Sequence, residues 1–154
     1  MQYQTTRFGA LDVAPNQIIT FPRGIPGFSK LRQFFLVPVP ENDCFAWLQS
    51  ADRPEVAFLV ADPFTFYPHY EIRLPVAERE LLQVKHQKEV SVHVIVRIPA
   101  EGKTEDITAN LLAPVVINNE LRLGCQLILE ESVFSIREPL FGHLSDSCQR
   151  EEGR

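Results

Sequence analysis

The chain has little cysteine, a single tryptophan, no long apolar run and no excess of basic charge, and each shortage excludes a class of protein. Cys44, Cys125 and Cys148 form an odd set with no CxxC pair, which reads as reduced thiols rather than a disulfide framework. The longest uninterrupted apolar stretch, residues 56–61, falls far short of the ~20 residues a membrane helix needs. Residues 1–12 hold no apolar segment that could serve as a signal-peptide core. The expected setting is therefore the cytoplasm, with no membrane association. Fifteen Lys and Arg stand against 20 Asp and Glu, a net charge of -5. The bases are scattered, so direct nucleic-acid binding, which depends on neutralising phosphates, is not expected. An acidic surface suits solubility or a basic protein partner.

Catalytic motifs are also missing. His69, His86, His93 and His143 fall in no HExxH pattern and beside no cysteine at ligand spacing, so no metal site is expected. There is no GxSxG elbow, P-loop or GxGxxG. The neighbouring carboxylates Glu130 and Glu131 would face opposite sides of a strand, and Glu151 and Glu152 lie in the terminal segment, so neither pair makes an acid/base couple. Cys44 follows Glu41, Asn42 and Asp43, whose acidity disfavours a thiolate. The reading is a non-enzymatic protein without a cofactor.

What is present is a series of short apolar segments punctuated by turn residues, with twelve prolines leaving little room for a long helix. Strands are predicted at 2–8, 10–13, 17–21, 34–39, 44–50, 57–61, 72–74, 91–98, 107–112, 115–118 and 122–129, several of them rich in β-branched residues. Gly9 and the pair Asn118 and Asn119 mark hairpin corners. One short helix is predicted over 75–86, with acids early and bases late, the order the helix dipole favours. Regular short strands with one helix fit an all-β chain, either a sandwich or a closed or partly open β-barrel. The barrel is preferred because closure removes exposed edges. The loop 21–28 should pin itself to the body through Phe21, Ile25 and Phe28. A single domain is expected over 1–143, with a flexible tail over 144–154 that carries no large apolar residue.

The segment 62–71 concentrates Phe64, Phe66, Tyr67 and Tyr70, punctuated by Pro63 and Pro68. Two readings are open: an interface loop with aromatic anchors, or a lid whose rings pack inward. As an interface, Tyr67, Tyr70 and Glu71 are preferred to the two phenylalanines, because a phenol accepts a half-wet position. On that reading Tyr70→Ala would weaken partner binding and leave the thermal midpoint unchanged. Phe66 completes the aromatic set. Asn110 and Asn118 flank a second candidate stretch around Pro114, although turn chemistry also explains them. A barrel that holds a small ligand in its mouth, with the aromatic segment as lid, is the alternative.

The same stretches, taken in order, carry a resemblance. Arg7-Phe8-Gly9, Phe21-Pro22-x-Gly24-x-Pro26-Gly27-Phe28, Trp47-Leu48-Gln49-Ser50 and Phe58-x-Val60-x-Asp62-Pro63 are followed by Tyr70. Then come Asn110-Leu111-x-Ala113-Pro114-x-x-Ile117-Asn118, Gln126-x-x-Leu129 and Arg137-x-Pro139-Leu140. The set resembles the flagellar assembly factor FliW family from about Arg7 to Phe141. Phe134 departs from it, standing where the family often has tyrosine, and nothing carries over beyond Gly142. The resemblance implies a β-barrel-like fold and a non-enzymatic partner switch, and the free protein is expected to be a monomer. Such proteins bind flagellin in the cytoplasm, and when flagellin is exported they capture CsrA, the RNA-binding repressor of flagellin translation.

Overall fold

Prolines and polar turns divide the chain into short strands that regain their stability by closing on one another. The computed structural model describes residues 1–130 and 133–141. The domain boundary near 143, the tail 144–154, His143 and Cys148 lie outside them.

The strands are β1 (Gln2–Thr5), β2 (Gly9–Asp12), β3 (Ile19–Thr20), β4 (Gln33–Pro38), β5 (Phe45–Ser50), β6 (Ala57–Ala61), β7 (Val90–Arg97), β8 (Thr108–Ala109), β9 (Val115–Asn118), β10 (Leu123–Gln126) and β11 (Glu138–Pro139). β1 and β2 form a separate hairpin whose corner is Gly9, at φ +72°. Thr5 Oγ1 donates to the Gly9 carbonyl at 2.7 Å and accepts from Phe8 N–H at 2.8 Å. This hairpin lies against the main sheet, with Tyr3 beside Phe35 and the Arg7 guanidinium 4.0 Å over the Trp47 ring.

The remaining strands form one sheet of order β11-β8-β7-β6-β5-β4-β3-β10-β9, and β9 also pairs with β7. The sheet therefore closes into a ring. β7 makes this possible by bonding two strands along one edge, β9 at Val90–His93 and β8 at Val96 and Arg97. All pairings are antiparallel except β10 with β3. The ring is thin at three seams, Thr20 with Leu123 and the two-residue matches of β6 to β7 and of β3 to β4. The fold is mostly strand, as predicted. It is ring-like rather than a complete barrel.

Among the described residues two short α-helices are seen in full where one helix was predicted, α1 (Pro63–Phe66) and α2 (Val76–Leu81). α2 is shorter than the predicted 75–86 because Gln83 turns to φ +54° just after it. The predicted strand at 72–74 pairs with no strand among the described residues. Ile72 and Leu74 instead pack over the outer face of the sheet. Around 118–122 the left-handed residue is Arg122, at φ +55°, rather than either asparagine. Asn118 contributes differently, its Oδ1 accepting from Glu120 and Leu121 N–H.

Inside the ring, Ile19, Phe21, Ile25, Phe34, Leu48, Val60, Val115 and Ile117 make a closed apolar core. Each such side chain contributes ~1.5–3 kcal/mol by leaving water. Gly124 is required here, because a Cβ at that position would sit 2.7 Å from Phe21 Cζ. The loop 21–28 is pinned as predicted, with Phe21 and Ile25 buried and Phe28 edge-on to Phe58 at 5.3 Å. On the outer face, residues 63–84 fold across β7, β9 and β10. They bury Phe66, Tyr70, Leu74 and Leu82 against Val94, Val116 and Cys125. β7 alternates, with Val90, Val92, Val94 and Val96 packed on the outer face and Ser91, His93 and Ile95 on the inner one.

Candidate functional site

The site begins where β6 ends. Asp62 caps α1, its Oδ1 accepting from Phe64 N–H at 3.0 Å, and Pro63 occupies the first helical position. The chain thus leaves the sheet within one residue of Ala61 and carries the aromatic segment outward.

The turn of α1 and the residues after it divide those aromatics. Phe66 is fully buried between Phe45 and Phe141, at centroid distances of 5.8 and 5.6 Å. Tyr67 is buried edge-on to Phe134, and its hydroxyl donates to the Pro139 carbonyl. Burial, with the Glu138 charge adding, pushes its phenol up to about 12. Tyr70 is only 2% exposed; its hydroxyl donates to the Leu111 carbonyl at 2.6 Å, and burial raises its pKa as well. The preference for the tyrosines over Phe64 is therefore reversed, since Phe64 is 42% exposed. A buried hydroxyl that finds a carbonyl is satisfied in the interior, and both tyrosines did.

Glu71 is exposed. Asn110 is half-buried, its Oδ1 accepting from Ala113 N–H at 3.0 Å. Asn118 is fully buried, and its Nδ2 donates to the Leu82 carbonyl at 2.8 Å, tying β9 to the end of α2. Of the residues predicted to contact a partner, Glu71 and part of Asn110 have surface to offer. Phe66, Tyr67, Tyr70 and Asn118 are engaged inside.

Glu71 and Phe64 belong to the same open cleft of about 750 Å³. Its walls are the ends of β5 and β6, the segment 70–73 and the first half of β7. Asp43, Asp62 and Glu71 face it with Arg73, and His93 lies within it, Nε2 3.0 Å from Ser91 Oγ. His93 shares the side-chain parity of Ile95, on the inner side of the sheet. Burial lowers its pKa against the opposing pull of Asp62, which favours the neutral imidazole. Asp43, Ser91 and His93 were not among the predicted contacts. The signal that could have found them is a mismatch of length, a long strand 91–98 following a short one that stops at Asp62-Pro63. Among the described residues no group of three or more His, Cys, Asp or Glu side chains is placed to hold a metal. No helix there is long and apolar enough to cross a membrane.

Fold and site together define a mostly-β protein built on a ring-like sheet, with an acidic cleft at its side. Residues 2–140 match the family model described as FliW protein. The flagellar assembly factor FliW of Moorella thermoacetica is 47% identical over 92% of this chain and 89% of its own length. That of Desulfitobacterium hafniense strain Y51 is 41% identical over the whole of both chains. A crystal structure of the flagellar assembly factor FliW superposes with a TM-score of 0.83 at 35% identity, over 92% of this chain and 97% of that one. The chain belongs to the FliW family of flagellar assembly factors.

Proposed function

We propose that this protein is a non-enzymatic partner switch of the bacterial cytoplasm. It binds flagellin and antagonises the translational repressor CsrA, so that export of flagellin frees it to relieve repression. Membership of the flagellar assembly factor family carries this reading. The physical features are compatible with it. The chain carries a net charge of -5, and a protein that binds RNA presents basic surface, so complementary fields would speed encounter. A few desolvated side chains would then set the dwell time.

The free protein is proposed to be a monomer with one folding unit over 1–143, binding no nucleic acid directly. Contacts are assigned to Glu71 and Phe64 at the cleft and, outside it, to the accessible part of Asn110, in place of the tyrosines. The small-ligand alternative draws no support from the packed ring interior. Release of CsrA on flagellin addition, followed by anisotropy of a labelled CsrA, tests the switch. Exchange should begin only above the flagellin Kd and approach completion well beyond it, by a margin that grows with the competing CsrA, and simultaneous binding of both proteins would refute a simple exclusive switch.

A further inference from the structure

β7 spans Val90–Arg97, whereas β6 ends at Ala61 and pairs with it only at Val94 and Ile95. Asp62 turns the chain away, and Pro63 has no N–H with which to extend the ladder. Along Val90–His93 the other edge of β7 bonds β9, so the groups facing the cleft follow from the alternation of an antiparallel ladder. The Glu89 carbonyl accepts from Asn119 N–H at 3.0 Å and the Ile95 carbonyl from Asn110 N–H at 2.9 Å. Both point toward β9 and β8, as do the odd-numbered residues between them. The N–H and C=O of Val90 and Val92 therefore point the other way, into the cleft, and no described strand pairs with them there.

We propose that this open edge is the docking site for an extended, basic segment of a protein partner, which adds as a strand beside Val90 and Val92 where β6 stops. An unpaired strand edge is a template for main-chain pairing, and pockets beside it select alternate side chains. The charge of the walls chooses the sign of the occupant. Asp43, Asp62 and Glu71 outnumber Arg73, and Asp43 and Glu71 are exposed without an ion pair among the described residues. Lysines or arginines on one face of the added strand would meet them. Apolar residues on the other would cover Phe64 and Ile72, which line the same cleft. The inference deepens the proposed function by placing the partner's contact, and it rests on that reading for the partner's identity.

The test is amide exchange of the full chain by NMR, free and bound to whichever of CsrA and flagellin co-elutes with it. Val90 and Val92 amides should exchange fast in the free protein and slow by about tenfold or more in the complex. The double variant Asp43→Lys with Glu71→Lys should weaken the complex about tenfold, with Glu105→Lys, outside the cleft, as an unaffected control. A complex in which Val90 and Val92 keep their free exchange rates overturns the docking site and leaves the proposed function standing. If neither protein binds, the proposed function fails, and a synthetic peptide of alternating lysine and valine decides the docking site. Shifts confined to Val90–His93 and lost in the double variant support it; no shifts, or scattered ones, overturn it.

Discussion

Tyr70 separates the two readings of the aromatic segment, because a core residue and an interface residue fail in different assays. Its hydroxyl donates to the Leu111 carbonyl at 2.6 Å, and its ring lies 5.2 Å from Phe134 and 5.9 Å from Phe64. Tyr70→Phe keeps the ring and removes the hydrogen bond, leaving a buried carbonyl without that donor, at a cost of about 1–2 kcal/mol. For a chain of this size that lowers Tm by roughly 2–8 °C. Tyr70→Ala also removes the ring and opens a cavity, which costs about 3–5 kcal/mol, a large part of the ~5–15 kcal/mol that holds a domain together. Urea unfolding followed by the fluorescence of Trp47, the single tryptophan, measures both variants, and CsrA binding of the folded fraction is measured beside it. The structure predicts graded losses of stability and, for Tyr70→Phe, unchanged affinity. A Tyr70→Ala protein with a wild-type midpoint and lost binding would refute the burial argument and restore the interface reading drawn from sequence.

Other consequences follow the same physics. Asn118→Ala strips the Leu82 carbonyl and two turn N–H groups of their buried partner, and should cost about 2–3 kcal/mol in urea unfolding. Gly124→Ala drives a methyl group into the Phe21 ring and should cost about 1–3 kcal/mol by overpacking, measured the same way. Tyr67 and Tyr70 have folded pKa values raised above the unfolded phenol. Their stabilisation is therefore complete below about pH 10 and lost as pH rises toward about 12, and a Tyr67→Phe variant should flatten that alkaline loss. His93 has a folded pKa below its unfolded one. Its contribution is complete above the ordinary imidazole value and lost as pH falls beneath it, and His93→Gln should remove that part of the acid dependence.

Local chemistry was legible in the sequence wherever one residue decides the outcome. Gly9 at a corner, the Phe21–Phe28 loop with its anchors, and the end of β6 at Asp62-Pro63 all follow from backbone preferences of glycine and proline. The direction of the aromatic rings was not legible. Whether Tyr70 faces a partner or Leu111 depends on a carbonyl 41 residues away. Residues 72–74 have a strand's composition, yet they cross the outer face of the sheet, packing Ile72 and Leu74 with Val116 and Cys125 instead of lying along an edge. Ring closure itself depends on β7 bonding β9 and β8 along one edge, a pairing no local pattern encodes. The cleft is a consequence of two strand lengths set side by side, so it becomes visible only once the register of β6 on β7 is known.

The proposed switch requires that the protein bind both CsrA and flagellin. Size-exclusion chromatography of the purified chain mixed with purified CsrA, with flagellin added to a parallel sample, tests it most directly. Co-elution with CsrA, and displacement of CsrA into a separate peak when flagellin is present, is the expected result. Separate peaks for this protein and CsrA at low salt, where an acidic and a basic surface attract most strongly, would contradict it.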